Sequence, residues 1–228
     1  MVPFEGAIRL AFRDPGWARK LLFGSAWLLI PVLGWLVLCG WCQRAFLRGA
    51  TNRPPLPDFD EPWALMSEGV AGFTALLVWF VLPVLGPIWA TALFTSSSLG
   101  HEAALSPLYL PAVLLVAMAL SVGLVLVLKL LPAALIGVGA TGSLWPAFNV
   151  RAVATLVREA FRPLLYAVVF YVLSQALGQF ALLLCGVGIL PALVWNHGLT
   201  AWMLGRVHAA HAGAELTDID TLLLESES

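Results

Sequence analysis

The sequence predicts an all-α, polytopic transmembrane helical bundle with broken helices, a re-entrant hairpin and interfacial amphipathic helices. Three observations predict it. Of the 228 residues, 61% are hydrophobic and only 11% charged, with a mean hydropathy of +0.91, a balance outside that of soluble domains. Uncharged apolar runs recur at about 20 residues, the helical length that matches a bilayer's hydrocarbon core. Prolines interrupt those runs, at Pro31-Val32-Leu33-Gly34, Pro83-Val84-Leu85-Gly86 and Leu131-Pro132, so helix breaks are expected at Pro31, Gly34, Pro83, Gly86 and Pro132. Residues 1–213 read as one integral membrane domain, and residues 214–228 as an acidic cytoplasmic tail.

The first element expected is an amphipathic helix, Pro3 to Arg13. Phe4, Ile8, Ala11 and Phe12 lie on one side of it, with Glu5, Arg9 and Arg13 in an i, i+4 row on another. Such a helix lies in the membrane interface with its apolar face down. Asp14-Pro15-Gly16 ends it, and Trp17, Arg19 and Lys20 stand where headgroup anchors belong. Pro3 and Glu5, with no small-residue cleavage pattern after the first apolar run, predict a retained N-terminus.

Leu21 to Cys42 is the first apolar run, and basic residues flank it on both sides: Arg19 and Lys20 before, Arg44, Arg48 and Arg53 after. The positive-inside rule puts both flanks in the cytoplasm, which a hairpin turning at Pro31 to Gly34 satisfies and a simple crossing does not. Arg53 to Trp63 is a stiff, proline-rich loop with three carboxylates, Asp58, Asp60 and Glu61, expected either to pair with nearby bases or simply to be solvated. A second apolar run follows from Gly69 to about Thr95, and the loop after it has His101 and Glu102 but no Lys or Arg, which marks it as external.

The third run, from Pro107 to Leu128, ends at Lys129 and leads into a glycine-rich stretch, Gly137 to Gly142. Val150 to Arg162 then repeats the amphipathic motif: Val150, Val153, Val157, Ala160 and Phe161 share a face, and Arg151, Arg158 and Arg162 point away toward lipid headgroups. Ala160-Phe161-Arg162 echoes Ala11-Phe12-Arg13, which suggests a duplicated module of interfacial helix and membrane hairpin. Leu164 to Leu184 and Ile189 to Leu204 form a final pair of runs before Arg206, and the tail from Ala214 carries five acids and no base, with Leu216, Ile219 and Leu223 at helical spacing. The resulting topology has four crossings, at 69–95, 108–128, 163–184 and 189–206, plus the hairpin and a membrane-dipping piece near 131–146. A six-crossing arrangement is the alternative, and it places Arg44, Arg48 and Arg53 outside.

Several stretches of the chain resemble the bacterial and archaeal membrane-protein family catalogued as domain of unknown function 4013. They are Phe12-Arg13-Asp14-Pro15-Gly16-Trp17, Lys20-Leu21-Leu22-Phe23-Gly24, Ile30-Pro31-Val32-Leu33-Gly34-Trp35 and Pro57-Asp58-Phe59-Asp60-Glu61, together with a late glycine-rich turn followed by Gly205-Arg206. The resemblance implies an integral membrane protein. It supplies no catalytic residues.

Candidate chemistry is sparse. In the last hairpin, Gln175 and Gln179 precede the turn at Val187 and Asn196 and His197 follow it, so antiparallel packing brings all four to a similar depth, about 12 to 18 Å from the turn. Polar groups at that depth must be paired, so they read either as glue between helices or as a polar path. Cys39-Gly40-Trp41-Cys42 has the spacing of a thiol-exchange pair, but two small residues packing on a neighbouring helix is the favoured account. His208 and His211 lack a third ligand, and no metal or other cofactor is expected. Phosphate-cradling loops, nucleophile elbows, zinc-protease motifs and a basic aromatic patch for nucleic acid do not occur.

The expectation is therefore a non-enzymatic, multi-pass protein of the bacterial inner membrane with both termini cytoplasmic. Its partners are the bilayer and anionic lipids, not nucleic acid, and its role is in membrane organisation or as the membrane subunit of an assembly. The alternative is a transporter or channel component using Gln175, Gln179, Asn196 and His197. A membrane thiol oxidoreductase using Cys39 and Cys42 is the third reading.

Overall fold

The computed structural model describes residues 14, 16–51, 53, 56–81, 130–180 and 188–213, of which residues 80–81 and 176–180 are described by their backbone only. Every regular element among these residues is helical: α1 (Trp17–Leu28), α2 (Leu33–Ala50), α3 (Pro62–Leu76), α5 (Trp145–Phe148), α6 (Val150–Glu159), α7 (Phe161–Phe180) and α8 (Ile189–His211), with α4 over residues 130–141. α3 runs on into a π-helical turn at Leu77–Val81.

α1 and α2 form a hairpin. Pro31 has no N–H to donate to the Trp27 carbonyl, so α1 stops at Leu28 and the Ile30 N–H takes that carbonyl instead, at 2.9 Å. The reversal is a γ-turn. Leu33 N–H bonds the Pro31 carbonyl at 2.8 Å across Val32, whose φ of 66° and ψ of −57° are strained for a β-branched residue. Gly34 opens α2 directly against the last turn of α1, where a Cβ would meet the Trp27 carbonyl and the Leu28 backbone.

The other ends of both arms are held by one strap, residues 56–61. Lys20 Nζ donates to the Leu56 carbonyl and, at 2.6 Å, to Asp14 Oδ2. Trp41 Nε1 donates to the Pro57 carbonyl at 2.7 Å, and its ring stacks on Phe59 at 4.7 Å. The first apolar run thus leaves and returns at the same end of the molecule. Lys20 corrects an expectation: it is 4% exposed, with its ammonium held inside by Asp14, Asp58 and the strap carbonyl. Arg19, by contrast, is exposed and reaches Asp58 at 3.4 Å.

α2 is the central helix. α3 packs on it antiparallel, so closely that a Cβ on Gly40 would run into the Leu65 carbonyl and one on Gly69 into the Leu36 carbonyl. α8 packs on another side in the same direction as α2, with Gly49 against the Trp202 carbonyl and Gly205 against that of Phe46. One core gathers Val37, Leu38, Trp41, Leu65, Leu199 and Trp202; a second gathers Phe46, Ala75, Ile136, Val153, Leu164 and Val207.

The amphipathic segment expected to run to Arg162 ends at Glu159 instead. Pro163 cannot donate to the Glu159 carbonyl, so the helix breaks at Ala160 and α7 begins with Phe161 and Arg162. Val153 and Ala160 are buried and Val157 is half-buried as expected for one face, but Val150 and Phe161 are exposed. Arg151, Arg158 and Arg162 are all exposed. Asn149 caps α6, its Oδ1 accepting from Ala152 N–H at 3.1 Å. Asn149→Ala should therefore cost about 1 kcal/mol in a thermal or denaturant melt, and Asn149→Ser almost nothing.

Pro132 sits within the first described turn of α4. Arg9, Arg13, Pro83, Gly86, the expected crossing at 108–128, the later part of that at 69–95 and the acidic tail lie outside the described residues. The crossings expected at 163–184 and 189–206 fall on α7 and α8, and no helix among the described residues is long and apolar enough to cross a membrane. In α8 the apolar run is diluted by Asn196, His197, Thr200 and Arg206.

Candidate functional site

α7 and α8 bring a set of uncharged polar groups together. Asn196 is buried on the inner face of α8, and its Oδ1 accepts from Ser174 Oγ at 2.5 Å and from Thr200 Oγ1 at 3.5 Å. Its Nδ2 has no hydrogen-bond partner among the described residues. His197, one position on, directs Nδ1 to the Leu193 carbonyl at 2.8 Å, and its ring lies edge-on between Tyr171, 5.7 Å away, and Trp35, 5.9 Å away. Gln175 donates from Nε2 to the Tyr171 hydroxyl at 3.0 Å. The side chain of Gln179 lies outside the described residues.

Of the four predicted residues, Asn196 and His197 meet α7 directly, and Gln175 joins through Tyr171. Ser174, Tyr171, Thr200 and Trp35 complete the set and were not singled out from the sequence. The sequence carries part of the signal: Thr200 stands one helical turn after Asn196 and Tyr171 one turn before Gln175, so each shares a face with a predicted residue. The Ser174 contact carries a measurable load. Among the described residues, Ser174→Ala leaves Asn196 Oδ1 with only the long Thr200 contact, which should cost about 1–3 kcal/mol in a detergent melt; a value near zero would show that Asn196 is satisfied some other way.

The strap end is charged. Arg44 makes a bidentate pair with Glu68, both bonds 2.7 Å, and approaches Glu61 at 3.8 Å. The Glu68 carboxylate raises the Arg44 guanidinium further above its already high pKa, so the guanidinium stays charged. Asp58 faces Arg19 and Lys20, at 3.4 and 3.5 Å, so for this carboxylate the structure shows pairing rather than simple solvation. His211 Nε2 lies 3.3 Å from Glu159, while the His208 ring lies tilted against Phe46, 5.7 Å between centroids. Burial, and secondarily His211, lowers the pKa of His208.

Cys39 and Cys42 are free, half-buried thiols. Cys39 faces α3, its Cβ 3.6 Å from where a Cβ on Gly72 would stand, and Cys42 packs on the first core.

The fold and these contacts define an all-α protein assembled around a glycine-notched helical hairpin, with a neutral polar cluster between α7 and α8 and charge gathered at the strap. The chain belongs to the family described as Protein of unknown function (DUF4013), whose model matches residues 23–187. No curated protein and no solved structure matches it.

Proposed function

We propose that this is a multi-pass protein of the bacterial inner membrane. Its hairpin enters the cytoplasmic leaflet without crossing, and its role is to organise that membrane or to serve as the membrane subunit of an assembly. The observation that carries the reading is the contrast between the two ends of the hairpin. At the turn, Leu29 is 71% exposed, with Ile30, Val32 and Leu33 beside it and Leu22 and Phe23 farther along α1. At the other end stand Arg19, Arg44 and the strap carboxylates.

An apolar tip of this kind is a surface for lipid or for another protein, not for water. α1, 12 residues long, measures about 18 Å, well short of a bilayer's roughly 30 Å core, which suits entry to half depth. α7 adds an exposed stripe of Phe161, Leu165, Val169, Val172 and Leu173, while Trp63 and Trp145 are 74% and 78% exposed, the aromatic anchors an interface favours. Both termini are then cytoplasmic.

Single cysteines at Arg9, Ile30 and Arg48, reacted with a membrane-impermeant thiol reagent in right-side-out and inverted vesicles, test this. Arg9→Cys and Arg48→Cys should label from the cytoplasmic face alone and Ile30→Cys from neither; labelling of Arg9→Cys and Arg48→Cys from opposite faces removes the re-entrant reading.

The buried, unpartnered Nδ2 of Asn196 supports a second reading, a transporter or channel component whose polar path runs past Gln175, Gln179, Asn196 and His197. Gln179→Cys distinguishes the two. Reaction with the same aqueous reagent supports a path, and complete protection supports a sealed contact between helices.

A further inference from the structure

We propose that the acidic segment 214–228 seats in the groove between α6 and the end of α8, where it covers the arginines of α6. The groove has a volume of about 410 Å³ and is lined by Asn149, Arg151, Thr155, Leu156, Glu159 and His211. Three observations point to this occupant.

The first is continuity. His211 forms part of the groove wall, and Gly213, the last described residue, lies two positions on. The segment that follows therefore starts at the groove. α6 has 10 residues and measures about 15 Å, and the segment from Ala214 to Ser228 exceeds that length even at helical rise.

The second is charge. Arg151, Arg158 and Arg162 are exposed along α6 and α7, and none of them pairs with a carboxylate among the described residues. The segment carries Glu215, Asp218, Asp220, Glu225 and Glu227 with no base. Glu159, the acid lining the groove, lies 3.3 Å from His211 Nε2, and Arg151 lines the same groove with no carboxylate contact among the described residues. The third is shape. Leu156 gives the groove an apolar floor, and Leu216, Ile219 and Leu223 recur at the spacing that presents one apolar face.

Docking needs no lipid. Its consequence does, and that part rests on the membrane reading above: the segment and anionic headgroups compete for the same guanidinium groups, so the segment holds α6 off the membrane until anionic lipid displaces it.

The test places Thr155→Cys in a chain whose three native cysteines are alanine, in lipid-free detergent micelles, and follows its rate of reaction with a water-soluble maleimide. Ending the chain after Gly213, and separately the triple change Glu215→Gln, Asp218→Asn, Asp220→Asn, should each raise the rate several-fold; about 1 M salt should do the same to the full chain. Unchanged melting temperatures establish that each variant is folded. Equal rates in all forms overturn the proposal. So does protection that requires phosphatidylglycerol and ignores the segment, which would assign the groove to a lipid headgroup. If the segment protects Thr155→Cys in micelles but phosphatidylglycerol vesicles do not release it, docking stands and the membrane competition fails.

Discussion

Replacing Lys20 with methionine should destabilise the protein by about 3–5 kcal/mol, the cost of breaking a buried ion pair from one side. Lys20 and Asp14 are 4% and 3% exposed, and their 2.6 Å contact lies beneath the strap. Without the ammonium, the Asp14 carboxylate keeps, among the described residues, only the Gly16 N–H, at 2.9 Å, and the Leu56 carbonyl loses the Lys20 donor. Lys20→Met combined with Asp14→Leu should recover much of the loss, because a buried pair replaced as a whole by apolar groups is often near neutral. Thermal melting of the three variants in one detergent checks both statements. A Lys20→Met melt indistinguishable from the parent would mean that the ammonium is hydrated.

Gly40→Val should be comparably damaging, for a steric reason. The Gly40 Cα faces the Leu65 backbone carbonyl, which cannot rotate away as a side chain can, so α2 and α3 must separate. Overpacking typically costs 1–3 kcal/mol, and contact with backbone puts this case at about the upper end. Gly72→Ala is the matched control on α3. Its Cβ would stand 3.6 Å from that of Cys39, an ordinary contact, and alanine is worth about 1 kcal/mol more than glycine within a helix. The pair of substitutions should therefore move the melting temperature in opposite directions. If both lower it equally, helix separation is not what limits Gly40.

Histidine chemistry gives a pH dependence with a definite sign. Burial, aided by His211, depresses the pKa of His208, so the folded state holds the ring neutral more strongly than the unfolded chain does. Its contribution is complete above the ordinary histidine pKa and is lost as pH falls through the depressed value. Melts of His208→Asn should show a shallower loss of stability on acidification than melts of the parent.

The features legible in the sequence are those with local causes. Pro31 and Gly34 mark a turn because one lacks an N–H and the other lacks a Cβ. The meeting of α7 with Asn196 and His197 follows from counting residues on either side of a turn. Pro163 carried the information that ends α6 at Glu159, but the periodicity of Val150, Val153 and Val157 reads smoothly through it. Other features depend on residues distant in the chain. Lys20 looks like an interfacial anchor until the strap, 36 residues later, supplies its acceptor. Gly49 and Gly205 are ordinary helix-packing glycines in the sequence, and nothing local says that they notch the same pair of helices in the same direction.

That last contact sets an order of events during synthesis. The hairpin, its strap and α3 are adjacent in the chain and can close as soon as they emerge, since contacts of short sequence separation form early. The notch at Gly49 cannot be filled until α8, which leaves the ribosome after α3 and α7, arrives at Trp202. Until then the notch lacks its α8 partner, so a chain prematurely terminated before residue 189 should be prone to misfolding rather than a smaller working protein.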